Sequence, residues 1–199
     1  MNRSILMPIL LSCAATLPAQ AALSPGDLAP DFQAQASLAG KEFTFSLKEA
    51  LAKGPVVIYF YPAAFTQGCN IQAHTFAENH DKFVAAGATV IGVSLDSVAQ
   101  LNDFSADPQY CAGKLPVASD ASGAITKSFG IKVIDAYAGK AAATFKDSRG
   151  KEIGHSFAER TTFIVVPGSK VTTTIGGLSP TENVMIALAA VQQLAPAKK

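Results

Sequence analysis

Val56-Val57-Ile58-Tyr59-Phe60-Tyr61-Pro62-Ala63-Ala64-Phe65-Thr66-Gln67-Gly68-Cys69 is the stretch on which the reading of this chain turns. Its first six residues form a continuous β-branched and aromatic run, the composition of a strand covered on both faces. Pro62 ends the run, because proline has no N–H to give to a strand ladder. A short loop follows, with Thr66 three residues before Cys69. From Asn70 to Ala86, apolar residues recur at Ile71, Ala73, Phe76, Ala77, Phe83 and Val84, close to the period of an amphipathic helix. One sulfur therefore lies near a helix N-terminus, where unpaired N–H groups and the helix dipole favour an anion. A thiol there ionises more readily, and the thiolate is the reactive form. The setting predicts redox or nucleophilic chemistry at Cys69.

Outward from this stretch the chain alternates. Ala22 to Phe32, with Pro25, Gly26 and Pro30, reads as an irregular lead-in; Phe43 to Leu47 alternates weakly like a strand, and Ser46 to Leu51 is a short helical turn. Ala88 to Leu95 is a second buried-type strand. Ser97 to Ala106 is a helix, Leu115 to Ala118 a short strand, and Ala121 to Phe129 a helix closed by Gly130. From Ala142 the pattern changes. Ala143 to Phe145 and Lys151 to Phe157 flank Asp147-Ser148-Arg149-Gly150, a hairpin turn in which Arg149 reads as a solvated side chain. Thr161 to Val166 and Val171 to Ile175 are strands joined by the Pro167-Gly168-Ser169-Lys170 turn, and Thr181 to Leu194 is an amphipathic helix. Strands alternating with helices, then a hairpin and a last helix, predict an α/β fold with a mixed central sheet flanked by helices, the thioredoxin-like arrangement.

Composition bounds the function. Of the 199 residues, 49% are hydrophobic and 16% charged, enough to fill a core; the net charge of +1 gives no general case for nucleic acid or an anionic membrane. Arg3 precedes a short apolar run, Ile5 to Leu17, and Ala19-Gln20-Ala21 fits an A-x-A cleavage site. The expectation is a leader over residues 1–21, removed on export to a bacterial periplasm, and a single domain over 22–199. The apolar run is too short to span a bilayer. Leu10-Leu11-Ser12-Cys13 only loosely matches a lipoprotein signal, so lipid anchoring at Cys13 is the lesser reading. Without the leader, Cys69 and Cys111 remain, and two cysteines in an exported chain often form a static disulfide. His74, His80 and His155 show no metal-ligand spacing, and Gly176-Gly177 lies in no phosphate-binding motif. No metal and no organic cofactor are expected.

Pro62-x-x-x-Thr66-x-x-Cys69 resembles the peroxiredoxin signature. The likeness continues in Gln72-Ala73, in Gly92-Val93-Ser94, in Leu115-Pro116-Val117-Ala118-Ser119-Asp120 and in Arg160-Thr161-Thr162-Phe163, in the family's order. It spans roughly Leu23 to Leu194 and is most similar to the bacterioferritin-comigratory, or Q-type, subgroup. Two departures stand out. Many members of that subgroup carry a second cysteine five residues after the first, where this chain has His74, and the segment from Lys132 to Glu159 is longer than the family's usual connection.

The resemblance implies a thiol-dependent peroxidase acting on hydrogen peroxide and organic hydroperoxides. Cys69 would be the peroxidatic thiolate and Arg160 its ion-pair partner. Thr66 would hydrogen-bond sulfur and peroxide, and Pro62 would shape and shield the loop. Full ionisation of a thiol with pKa near 8.5 gains only about 30-fold at pH 7, or ~2 kcal/mol. The rest must come from orienting the peroxide and stabilising the departing oxygen. Cys111, 42 residues downstream between Asp107-Pro108 and Gly113, reads as lying in an exposed, mobile connection. It is the candidate to resolve Cys69 as an intramolecular disulfide. A static Cys69–Cys111 bond is the alternative, and closing such a loop would stabilise the fold by about 4 kcal/mol. The implied partners are a hydroperoxide and a thiol reductant, thioredoxin-like or another dithiol protein, acting on a monomer. Two other functions stay in view. A thiol–disulfide oxidoreductase of the same fold wants Cys-x-x-Cys, but position 72 is Gln; a copper carrier wants Cys-x-x-x-Cys, but position 73 is Ala. A non-catalytic binding module with a structural disulfide is the reading from another class.

Overall fold

A computed structural model describes residues 21–135, 137 and 145–195. The expected leader up to position 20, with Cys13, lies outside the described residues, as do positions 142–144. Strand β3 (Val56–Phe60) is central and buried at every position. Its residues alternate between two cores, as the pleat requires. Val57 and Tyr59 face one cluster with Phe76, Phe83, Phe104, Val184 and Leu188; Val56, Ile58 and Phe60 face the other, with Phe32, Leu47, Phe129 and Phe163. Helices α2 (Gln67–Ala85), α3 (Val98–Ala106) and α5 (Pro180–Leu194) cover the first face. Helices α1 (Leu47–Leu51) and α4 (Ala124–Ser128) lie with the second.

The main sheet has seven strands, running across it as β2 (Lys41–Ser46), β1 (Gln33–Leu38), β5 (Val117–Ser119), β4 (Thr89–Ser94), β3, β8 (Thr161–Val166) and β9 (Lys170–Gly176). β3 pairs in parallel with β4, and β4 with β5. β8 runs antiparallel to β3 and forms a hairpin with β9. A mixed sheet flanked by helices is thus present, as the sequence predicts.

Three local readings are corrected. β1 (Gln33–Leu38) was not visible in the sequence, because Gln-Ala-Gln-Ala-Ser-Leu is poor in strand-forming residues; pairing with β2 (Lys41–Ser46) and β5 holds it. The expected hairpin turn at 147–150 is present but its arms are shorter than read: Lys146 and Glu152 bridge antiparallel across it, and Ile153 N–H donates to Phe145 O at 2.8 Å. Its far end, β7 (Phe157–Ala158), pairs instead with β6 (Val133–Ile134). The helix expected from Ala121 starts three residues later, behind Gly123, whose φ of 69° breaks the helical path. Before it, the Asp120 carboxylate accepts from the N–H groups of Ile125 and Thr126. The lead-in before β1 is irregular, as expected, yet pinned: Gly26 N–H donates to Val171 O at 2.9 Å and Ala29 N–H to Ser169 O at 2.7 Å. No helix among the described residues is long and apolar enough to cross a membrane.

Gly92 sits opposite Tyr59 in the β3–β4 register. A Cβ there would lie 2.5 Å from the Tyr59 hydroxyl oxygen. That ring cannot move aside, because it stacks on Tyr61 at 5.3 Å and Phe76 at 4.6 Å. Gly92→Ala should therefore destabilise the fold by about 1–3 kcal/mol, as overpacking does, measured as a lowered midpoint in urea.

Candidate active site

The loop after β3 puts Cys69 inside helix α2, in its first turn. The helix starts at Gln67, not Asn70, because Thr66 takes the N-cap position with extended backbone, φ −98° and ψ 148°. Asn70 N–H to Thr66 O, at 2.8 Å, is the first bond of the helical ladder. The Cys69 sulfur therefore lies beside N–H groups that have no partner within the helix. Cys69 is buried, while Pro62 and Thr66 are partly exposed. The Thr66 hydroxyl donates to the Ala63 carbonyl at 2.9 Å, not to the sulfur, which leaves its lone pairs available. Phe65, one residue earlier, has φ 60°, a left-handed conformation uncommon for a bulky residue.

Arg160 reaches the same spot from the start of β8, with Nη2 3.4 Å from the Cys69 sulfur. Its other arm, Nη1, donates to Gln72 Oε1. Gln72 is fully buried and donates through Nε2 to Asn183 Oδ1 at 3.0 Å. Asn183, on α5, also accepts from the Thr162 hydroxyl at 2.6 Å and donates to the Ile175 carbonyl at 3.3 Å. A buried amide network thus fixes the guanidinium over the sulfur. Gly68 makes room for it: a Cβ at that position would stand 3.1 Å from Arg160 Nη2. The sequence marked Cys69 and Arg160 correctly as neighbours, 91 positions apart. It gave Gln72 no role and missed Asn183; no local pattern could join residues 111 positions apart.

Cys111 requires a correction. It is not in an exposed connection but 0% exposed in the aromatic core that also holds Tyr59, Phe65 and Phe104. The turns around it fold back tightly: Lys114 and Leu115 N–H groups both donate to the Cys111 carbonyl, and Ala112 N–H donates to Asp107 O. Burial, with Asp107 nearby, pushes its thiol far above the ordinary range. Cys69 and Cys111 are both free thiols here. His74, exposed on α2, bonds through Nδ1 to Gln109 O at 2.9 Å and pairs with Glu78 at 3.2 Å.

Arg149 is also corrected, from a solvated turn residue to one stacked over Phe65, its guanidinium carbon 3.4 Å from the ring centroid. His155 lies with Nε2 3.0 Å from Asp96 Oδ1. Burial alone would lower the imidazole pKa, but the hydrogen bond and charge of Asp96 outweigh it and raise the value above the ordinary one. Among the described residues no three His, Cys, Asp or Glu side chains gather as a metal site would need.

A sequence model of the AhpC/TSA family matches residues 25–174. Among curated proteins, the chain is 32% identical to a chloroplastic 2-Cys peroxiredoxin BAS1 of Hordeum vulgare over 114 residues, 55% of this chain and 54% of that protein. It is 43% identical to a chloroplastic peroxiredoxin Q of Oryza sativa subsp. japonica over 79 residues, 39% of this chain and 34% of that protein. The chain spans about half the length of the first of these relatives, and less of the second. Among solved structures, peroxidoxin BcpB from Mycobacterium tuberculosis superposes with a TM-score of 0.68 at 28% identity, covering 86% of this chain and 98% of that one. Peroxiredoxin Q of Xanthomonas campestris does so with a TM-score of 0.63 at 30% identity, covering 81% and 91%. With the family pattern matched across most of its length, and a cysteine–arginine pair built at the start of α2, this chain belongs to the AhpC/TSA family.

Proposed function

We propose that the chain is a thiol-dependent peroxidase that reduces hydrogen peroxide and organic hydroperoxides through Cys69. The observation that carries this reading is the 3.4 Å contact between the Arg160 guanidinium and a sulfur in the first turn of α2. The Cys69 thiolate attacks the terminal oxygen of the hydroperoxide. An S–O bond forms as the O–O bond breaks, and the departing alkoxide or hydroxide takes up a proton to leave as alcohol or water. Sulfur is oxidised to the sulfenic acid and the peroxide is reduced. Arg160 offers donors where negative charge gathers on the departing oxygen, the arrangement that contributes most to such barriers. The Thr66 oxygen, its own proton given to Ala63, accepts from the peroxide O–H. Pro62 opens the loop without adding an N–H to it. All these groups come from one chain, so a monomer suffices.

Resolution by Cys111 balances as follows. Its sulfur attacks the Cys69 sulfur, an S–S bond forms, the S–O bond breaks, and the hydroxyl leaves as water. An external dithiol then reduces the disulfide. Because Cys111 is buried and its thiol holds its proton tightly, this step requires the turn at 107–114 to open.

Arg160→Ala should slow peroxide consumption by the reduced protein about 100-fold, the loss typical of one donor to a developing oxyanion, with an unchanged circular dichroism spectrum. An unchanged rate removes Arg160 from the reaction. Gly68→Ala should slow the peroxide step, because its methyl, 3.1 Å from Arg160 Nη2, displaces a guanidinium that the amide network holds in place. The same crowding should offset the gain of about 0.5–1 kcal/mol that alanine brings to a helix over glycine, leaving the urea midpoint no higher than the parent's. Alkaline stability tests Cys111. Its folded pKa lies above the unfolded one, so between about pH 8.5 and the folded value the native state holds a proton that the unfolded chain has lost, and stability falls as pH rises. Urea midpoints from pH 8 to 10 should fall with a slope of up to about 1.4 kcal/mol per pH unit, and Cys111→Val should flatten that slope.

A further inference from the structure

We propose that the turn at 147–151, together with His155 beyond it, is a clamp on the Cys69 loop that sets how fast Cys69 can leave its pocket for Cys111. The inference rests on the peroxidase reading above. The loop needs holding, because an aromatic residue at φ 60° persists only where its surroundings over-determine it. Three ties do so, and they meet at two adjacent residues. Ser148 N–H donates to the Phe65 carbonyl at 2.8 Å. Arg149 places its guanidinium carbon over the Phe65 ring. Ala64 N–H donates to Asp96 Oδ2 at 2.8 Å.

Each tie is itself braced. Asp147 accepts from Arg149 Nε at 3.0 Å and Nη2 at 2.8 Å, and its other oxygen takes the N–H groups of Arg149 and Lys151 at 2.9 Å. Burial alone would raise the Asp147 carboxyl, but these donors hold it below the usual carboxylate range. Asp96 is held from one side by Ser94 Oγ at 2.7 Å and from the other by His155 Nε2.

The same ring that the clamp grips reaches toward the second thiol. Phe65 packs edge-on against Phe104 at 5.0 Å and against Tyr110, the neighbour of Cys111, at 5.8 Å. Attack on peroxide happens with the loop in place and breaks none of these contacts. Joining Cys69 to Cys111, two buried sulfurs without a bond between them, requires the loop and the Phe65 ring to move. The clamp therefore slows the second step and leaves the first alone. Ser148, Arg149, Asp96 and His155 are positioning residues that never touch the reacting atoms.

The test uses the reduced full chain and two readouts: hydrogen exchange of the peptide covering positions 62–70, and rapid-quench thiol mapping after one equivalent of hydrogen peroxide. Arg149→Ala should speed exchange in that peptide about fivefold, in line with losing a partly desolvated cation–π contact. It should raise the rate of Cys69–Cys111 bond formation by a similar factor and leave sulfenic acid formation unchanged. His155→Ala should act in the same direction through Asp96, and His155→Gln, which keeps an N–H donor for Asp96, should restore the parent behaviour. Unchanged exchange and disulfide rates in Arg149→Ala overturn the clamp. So does faster exchange spread evenly over the whole chain, which would mark plain destabilisation. Should the parent chain consume peroxide no faster than free cysteine, the peroxidase reading falls, and the 62–70 exchange alone decides whether the clamp exists.

Discussion

The Arg160 guanidinium meets the Cys69 sulfur from a strand, across the end of a helix, and both must arrive with an accuracy of a few tenths of an ångström. Side chains that carry no charge enforce this. Gln72 and Asn183 are buried amides with several hydrogen-bonding groups each, and these are spent on one another, on Thr162, on the Ile175 carbonyl and on Arg160. A buried amide left unpaired costs about 1–3 kcal/mol, so the network has little freedom to rearrange. That rigidity passes to the guanidinium. Helix α5, strand β9 and strand β8 thereby all contribute to the placement of one cation at the start of α2, although none of the three carries the sulfur.

The two thiols illustrate how environment divides labour between identical groups. Cys69 sits at a helix start with a cation at hydrogen-bonding distance. Cys111 sits among aromatic rings with Asp107 nearby, and both influences oppose its charge. The first setting brings donors to the sulfur, and the second holds the proton on it. In the proposed cycle, the folded state suits the opening reaction, and the closing reaction belongs to a different conformation. The Phe65 ring lies between these two regimes.

Much of the architecture could be read directly from the chain. Val56 to Tyr61, Ala88 to Leu95 and Thr161 to Val166 announce themselves because strands buried on both faces are mostly apolar and β-branched. Cys69 could be marked because the proline, the threonine and the helix period sit within a few residues of it. What escaped shares a different property. β1 is held by partners and not by propensity, and its Gln and Ser residues give no signal of their own. The helix start moved from Asn70 to Gln67 because Gln-Gly adds nothing to the apolar period while Thr66 acts as a cap through its backbone. Arg149 looked like any turn arginine because Phe65 is 84 positions away. Cys111 was misplaced because Asp, Pro and Gly mark turns, and turns here are compatible with a buried side chain.

The outer borders of the central sheet have a consequence of their own. On one side, β9 does not end in open backbone: the lead-in at 26–29 runs along it, exchanging N–H and C=O groups with Ser169 and Val171, and Leu28 bridges to Lys170. On the other side, β2 opens with exposed Lys41 and Glu42. A bare, flat border would recruit strands from other molecules, and charged or occupied borders do not. This sheet is therefore guarded against stacking into fibres by two unrelated devices, one made of main chain and one of charge, so that partial opening near the thiols need not seed aggregation.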